Sequence, residues 1–159
     1  MRSLTLAGAL MVTLDMRPMD AACVRAITGN DPGEWFAVER FQSHGVALEL
    51  LQDGEPVAMA GLSLPNGWTG VLWLVARPAL RLQSWRKLVR SARTVLARAG
   101  DPAHPEYRHR IEAHVLAAWP EAQRFVQALG FELEHVRRGA GSRGEDLQVW
   151  VRLGPPKER

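Results

Sequence analysis

Cysteine and lysine are scarce in this chain, and long apolar runs are missing. The one cysteine, Cys23, excludes an internal disulfide framework and a cysteine-based zinc site. The histidines, at positions 44, 104, 109, 114 and 135, are scattered without ligand spacing, so no metal is expected. No stretch approaches the roughly 20 apolar residues that span a bilayer, so no membrane partner is expected. The opening MRSLTLAGALMVTLDMRP carries Thr13 and Asp15 inside its apolar run and only Arg2 as a basic start. It is therefore read as a first strand over residues 8–17, closed by the breaker Arg17-Pro18, and not as a signal peptide. Lysine occurs only at Lys87 and Lys157, so nearly all positive charge is arginine.

That arginine is concentrated. Arg77, Arg81, Arg86, Arg90, Arg93 and Arg98 crowd one segment with Lys87. Arginine suits bidentate contact with phosphate or carboxylate, and a solvated helix face would look the same. The net charge of +3 is modest, and no base-stacking platform is visible. Nucleic-acid binding therefore ranks third among the functional readings, behind protein contacts and enzymatic activity.

The 159 residues suit one domain, and a hydrophobic fraction of 47% is enough for a core. Helices are expected over 19–28 and 34–43, the second with Trp35, Val38 and Phe41 on its apolar face. Asp53-Gly54 between two β-rich runs predicts a tight hairpin within 46–64. TGVLWLVA, residues 69–76, is nearly all apolar and reads as a central strand. The longest helix covers 80–99, with Leu82, Trp85, Leu88, Val89, Ala92, Val95 and Leu96 as its stripe. A strand over 110–116 leads through Pro120 into another helix. There Ala122, Phe125, Val126 and Leu129 share one face. Gly130 follows, at a helix end that favours a left-handed residue, and Phe131 and Leu133 alternate with Glu132 and Glu134 as a strand. The last strand is 147–153. Residues 1–153 thus form one domain, and 154–159 form a polar tail. The order is strand, helix, helix, three strands, helix, strand, helix, two strands. It predicts an α/β fold: one mixed, mostly antiparallel sheet of about seven strands covered by four helices.

This order resembles the GNAT superfamily of acyl-CoA-dependent N-acyltransferases, from about residue 10 to 153. The residues that carry the resemblance are Arg17-Pro18, the Asp53-Gly54 hairpin, GVLWLVA, and Ala122-x-x-Phe125-x-x-x-Leu129-Gly130-Phe131. The resemblance implies a cleft where the fourth and fifth strands splay apart. An acyl-CoA would lie there, with its pantetheine and acyl carbonyl on the backbone at Leu74 and Val75. Trp119 and Phe125 would line the cleft, and the diphosphate would sit at the N-terminus of the next helix, near Arg77 and Arg81.

Three positions depart from the family pattern. The family's diphosphate loop is glycine-rich, whereas ARPALRLQSWRKL, residues 76–88, has no glycine. Trp119 stands where the family often has Asn. Val126 stands where it often has a Tyr that protonates the leaving thiolate, and valine cannot transfer a proton. A catalytic base would have to come from Glu112 and His114, which alternation puts on one side of their strand, or from Glu49. A histidine can trade a proton near neutrality, and a packed or solvated one would read the same.

Trp73 in its Trp-Leu-Val strand, the glycine-free link and the basic helix are similar to GNAT-like proteins encoded by bacteriophages, including internal virion proteins. That resemblance implies a degenerate site with no cofactor required. The protein would be a virion or assembly component acting through other protein subunits, placed in a bacterial cytoplasm or in the virion. Trp35, Trp73, Trp85 and Trp150 fall on predicted core faces, whereas Trp68 and Trp119 do not. Trp68 with Arg86, Arg90 and Arg93 is then a candidate interface, and Trp119 either joins it or lines the cleft. The competing class is a divergent N-acyltransferase that uses acetyl-CoA or another acyl-CoA on an amine.

Overall fold

Asp53 and Gly54 both take positive φ, 54° and 85°, the left-handed pair that a two-residue hairpin needs to match strand twist. They join the two strands from which the sheet grows. The structure is a computed structural model that describes residues 1–155, so positions 156–159 of the expected tail lie outside the described residues. In chain order the elements are β1 (Arg2–Ser3), α1 (Leu6–Leu14), α2 (Pro18–Thr28), α3 (Glu34–Gln42), β2 (Gly45–Gln52), β3 (Glu55–Ser63), β4 (Thr69–Ala76), α4 (Leu82–Ala99), β5 (Arg110–Leu116), α5 (Pro120–Ala128), β6 (Glu132–Arg137) and β7 (Leu147–Leu153). The strands form one sheet in the order β1-β2-β3-β4-β5-β7-β6. All neighbours are antiparallel except β4 and β5. The mixed, mostly antiparallel seven-stranded sheet is as expected, with five helices in place of four.

The extra helix is the segment read as a first strand. Thr5 caps α1, its hydroxyl accepting the Gly8 N–H, and Ala9, Val12 and Thr13 recur on the buried face at helical spacing. A strand would have sent alternate residues of this apolar run into water, whereas a helix lays one stripe on β3. Arg17-Pro18 accordingly opens α2, with Pro18 at the first helical position.

Two faces of the sheet are covered. Beneath α1, α2 and α3 lie Met59 and Val75, with Ala47 and Trp73 beside them. Beneath α4 and α5 lie Ala58, Ala60, Leu62, Ile111, Ala113 and Val115. On α3 the buried residues are Phe36 and Ala37, while the expected face is exposed at Trp35 (38%) and Phe41 (45%). The difference arises because Arg40, not Phe41, turns inward: its guanidinium lies over the rings of Phe36 and Trp73. Leu82 is also exposed, at the very start of α4. After α5, Gly130 takes φ +85° as expected, and Phe131 is buried. β6, however, is a bulged edge strand whose Leu133 and Val136 face solvent.

Candidate active site

β4 and β5 run parallel for three pairs only, Thr69↔Arg110, Gly70↔Ile111 and Val71↔Glu112, and beyond them no pairing continues. The gap opens into a cleft of about 990 Å³ that passes through the sheet. Trp73, Val75, Phe36 and Val24 line it on one side; Trp85, Trp119, Phe125 and Val126 line it on the other.

The backbone of β4 decides what this gap offers. Ala76 gives its N–H to Asp20 Oδ2 (3.0 Å), and its carbonyl accepts the Arg17 N–H (2.8 Å). Arg77, the next residue, gives its N–H to the Val57 carbonyl on the other side. Backbone groups alternate along a strand, so Leu74 shares the open edge with Ala76, and Val75 is turned to β3. Of the two residues expected to offer backbone, Leu74 therefore does so and Val75 contributes its side chain.

Glu112 and His114 come together as the strand alternation predicts. His114 Nε2 lies 3.0 Å from Glu112 Oε2, and His114 lines the cleft. Glu112 also takes Arg110 Nε at 2.5 Å, while Arg110 makes two further bonds to Glu134. Burial pulls the Glu112 carboxyl upward, but hydrogen bonds and charge from Arg110 and His114 outweigh it and hold it below its ordinary value. An ionised Glu112 accepts, so His114 Nε2 carries the proton. Nδ1 has no partner among the described residues.

At the other end of the cleft, Arg17 gives Nε (2.6 Å) and Nη2 (3.1 Å) to Asp20. Its guanidinium lies 5.1 Å from the Trp85 ring centre and 5.7 Å from that of Trp119. Trp85, expected in the core, thus walls the cleft, its ring edge-on to Phe125. Trp73 does the same from β4, and Trp119 lines the cleft with Phe125. Trp150 is buried in the core as read. Burial pushes the Asp20 carboxyl up, more strongly than Arg17 and the Ala76 N–H draw it down.

Gln52 reaches the start of α4 from the end of β2. Gln52 Oε1 accepts the Arg81 N–H (3.0 Å) and the Ser84 hydroxyl (2.8 Å), and Gln52 Nε2 donates to the Ala79 carbonyl. Arg81 pairs with Asp53, and Arg77 pairs with Asp15 (2.8 Å) and Glu55 (3.4 Å). Neither arginine lines the cleft. The cleft fits the thioester and pantetheine of an acyl-CoA through its apolar walls and the open Leu74 edge.

Glu49, the other candidate base, is fully buried, does not line the cleft and serves the N-terminal segment. It accepts Arg2 Nε (2.6 Å), the Thr5 N–H (3.2 Å) and the Thr5 hydroxyl (3.0 Å). Trp68, 60% exposed, sits in the turn before β4, while Arg86, Arg90 and Arg93 are exposed on α4, which begins beyond that strand's other end. The sequence reading missed Arg17, Asp20, Cys23 and Arg40 as lining residues. Asp20 in the first turn of a Pro-started helix was the one visible signal, since acids favour that position. No group of three or more His, Cys, Asp or Glu side chains able to hold a metal occurs among the described residues.

No protein-family model and no curated protein sequence matches the chain significantly. Solved structures do. The ribosomal-protein-S18-alanine N-acetyltransferase of Escherichia coli superposes with a TM-score of 0.70 at 18% identity, over 99% of this chain and 95% of its own. The yncA protein of Salmonella typhimurium, solved with its cofactor acetyl-CoA, gives 0.71 at 15% identity, over 99% and 95%. A GNAT superfamily phosphinothricin acetyltransferase of Sinorhizobium meliloti, in complex with AcCoA, gives 0.71 at 20% identity, over 96% and 87%. The fold is therefore that of GNAT-superfamily acetyltransferases.

Proposed function

We propose that the protein is an acyl-CoA-dependent N-acyltransferase acting on an amine. The observation that carries this reading is that the Glu112–His114 pair and the open Leu74 backbone share one splayed cleft. When bound, acyl-CoA supplies a thioester carbonyl carbon to which the acceptor nitrogen bonds as the C–S bond breaks and sulfur departs as thiolate. The Leu74 N–H is placed to receive a carbonyl oxygen as charge builds on it. His114 Nδ1 takes the proton from the amine, and Glu112, held ionised by Arg110, keeps the ring oriented and stabilises the imidazolium. Trp85, Trp119 and Phe125 exclude water from one side. Val126 cannot protonate the departing sulfur, and the raised Cys23 thiol is a weak acid.

The reading of a virion or assembly component working through protein contacts rests on sequence resemblance alone. The candidate base and the open edge meet in one cleft, which favours the acyltransferase reading.

Calorimetric titration with acetyl-CoA and CoA tests the acyltransferase reading. Micromolar binding is expected, and transfer to an amine panel should then fall about 10²- to 10⁴-fold in His114→Ala. Absence of binding at millimolar ligand would overturn it.

A further inference from the structure

Four buried side-chain polar atoms lack a partner among the described residues: Thr13 Oγ1, Arg40 Nε, Ser63 Oγ and Trp73 Nε1. Buried polar groups are nearly always satisfied, so an orphan asks for a reason. Three of these four belong to one patch. Ser63 faces Val71 across the β3–β4 ladder and Gly61 faces Trp73, so Ser63 and Trp73 occupy neighbouring rows of one sheet face. Gly61 lets the indole lie flat across β3: a Cβ there would come within 2.5 Å of the Trp73 ring. Arg40 descends from α3 onto this surface, its guanidinium 5.3 Å from the Trp73 ring centre. Arg40 borders both the through-sheet cleft and a shallower hollow of about 410 Å³ that Ser63 and His44 help to line.

All three can donate hydrogen bonds, and one carries a full positive charge. Glu39, half-exposed, engages only Arg40 Nη2. The same face carries Glu112 one strand further on, opposite Val71, with His114 two residues beyond. The Arg40 patch and the candidate base thus flank one stretch of β4, with apolar Phe36, Val24 and Ile27 above it.

We propose that this patch binds the carboxylate of the acceptor, which makes the acceptor an amino acid with an apolar side chain. Arg40, Trp73 Nε1 and Ser63 Oγ hold the carboxylate, the amine turns toward His114, and the side chain packs under α2 and α3. This rests on the acyltransferase reading for the role of the amine, but the carboxylate site is testable without any acyl donor.

The test is titration of the full chain with L-phenylalanine and with phenethylamine, which differ only in the carboxylate. Phenylalanine should bind about ten- to a hundredfold more tightly. Arg40→Met, which keeps the stem over Trp73, should remove that preference and leave phenethylamine unchanged. Trp73→Phe should reduce the preference while keeping the ring, with thermal melts confirming that both variants fold. Equal affinity of the pair, no binding of either, or an unaltered preference in folded Arg40→Met would overturn the proposal. Clear preference for phenylalanine without any acetyl-CoA binding would uphold the carboxylate site and overturn the acyltransferase reading alone. Transfer to amines with no preference for a carboxylate would do the reverse.

Discussion

Glu49 holds Thr5 by two bonds at once: one carboxylate oxygen accepts both its N–H and its hydroxyl, at 3.2 and 3.0 Å. Thr5 is the cap of α1, so a side chain in the middle of β2 fixes where the first helix begins. Glu49→Ala would remove the acceptor of both bonds and empty a fully buried site, and a loss of about 2–4 kcal/mol is expected in denaturant unfolding. Glu49→Gln, which keeps an acceptor oxygen, should lose less. Acyl transfer by folded Glu49→Gln should match the parent, whereas a thousandfold loss would return Glu49 to the list of bases.

The Arg17–Asp20 pair ties the start of α2 to the end of β4 through Ala76. Asp20→Ala removes the acceptor of three bonds and leaves a half-buried guanidinium, which should cost about 3 kcal/mol. The pH dependence has a definite sign. Asp20 is raised in the folded state, so its proton is bound more tightly there than in the unfolded chain. The stability tied to it is present at acid pH and is lost as pH rises through the folded value. Unfolding of the parent and of Asp20→Asn, measured from pH 4 toward neutrality, should show the parent losing ground to the variant. A gap that widens in the parent's favour would contradict this.

Cys23 lies in the cleft wall with its thiol near the His114 carbonyl, and burial pushes its pKa from 9.0 up to about 11. The thiol is therefore a packing group at neutral pH and a poor nucleophile. Folding stability should fall by roughly 2 kcal/mol between pH 9 and 11, as the unfolded chain ionises first. Cys23→Ala should flatten that slope. Alkylation of the native chain by iodoacetamide at pH 8 should be far slower than that of the denatured chain, and equal rates would show the thiol to be open and ionised.

Most of the architecture was legible from local chemistry. The Asp53-Gly54 turn, the apolar run of β4, the stripe of α4 and the Leu129-Gly130-Phe131 helix end each carry a signal within a few residues, and each appears as read except at two positions of the stripe, exposed Leu82 and cleft-lining Trp85. The segment that became α1 does not, because LAGALMVTL is a short apolar run that suits a buried strand or a buried helix equally. What selects the helix is a cap at Thr5 that is itself held by Glu49, more than forty residues away. Likewise Trp35 and Phe41 share a helical stripe as good as the true one. The packing of Phe36 and Ala37 against α1 and β3, with Arg40 over Trp73, turns α3 the other way.

The sequence by itself determined the strands from β2 to β7, their order and the pairing of Glu112 with His114, because spacings of two, three and four decide which side chains share a face. Tertiary structure alone decided what the cleft contains. β4 and β5 separate after Val71, Ala76 is claimed by Arg17 and Asp20, Gln52 folds over the start of α4, and Arg40 reaches the indole of Trp73. Each of those contacts joins residues distant in the chain, and no local periodicity records where two such segments meet.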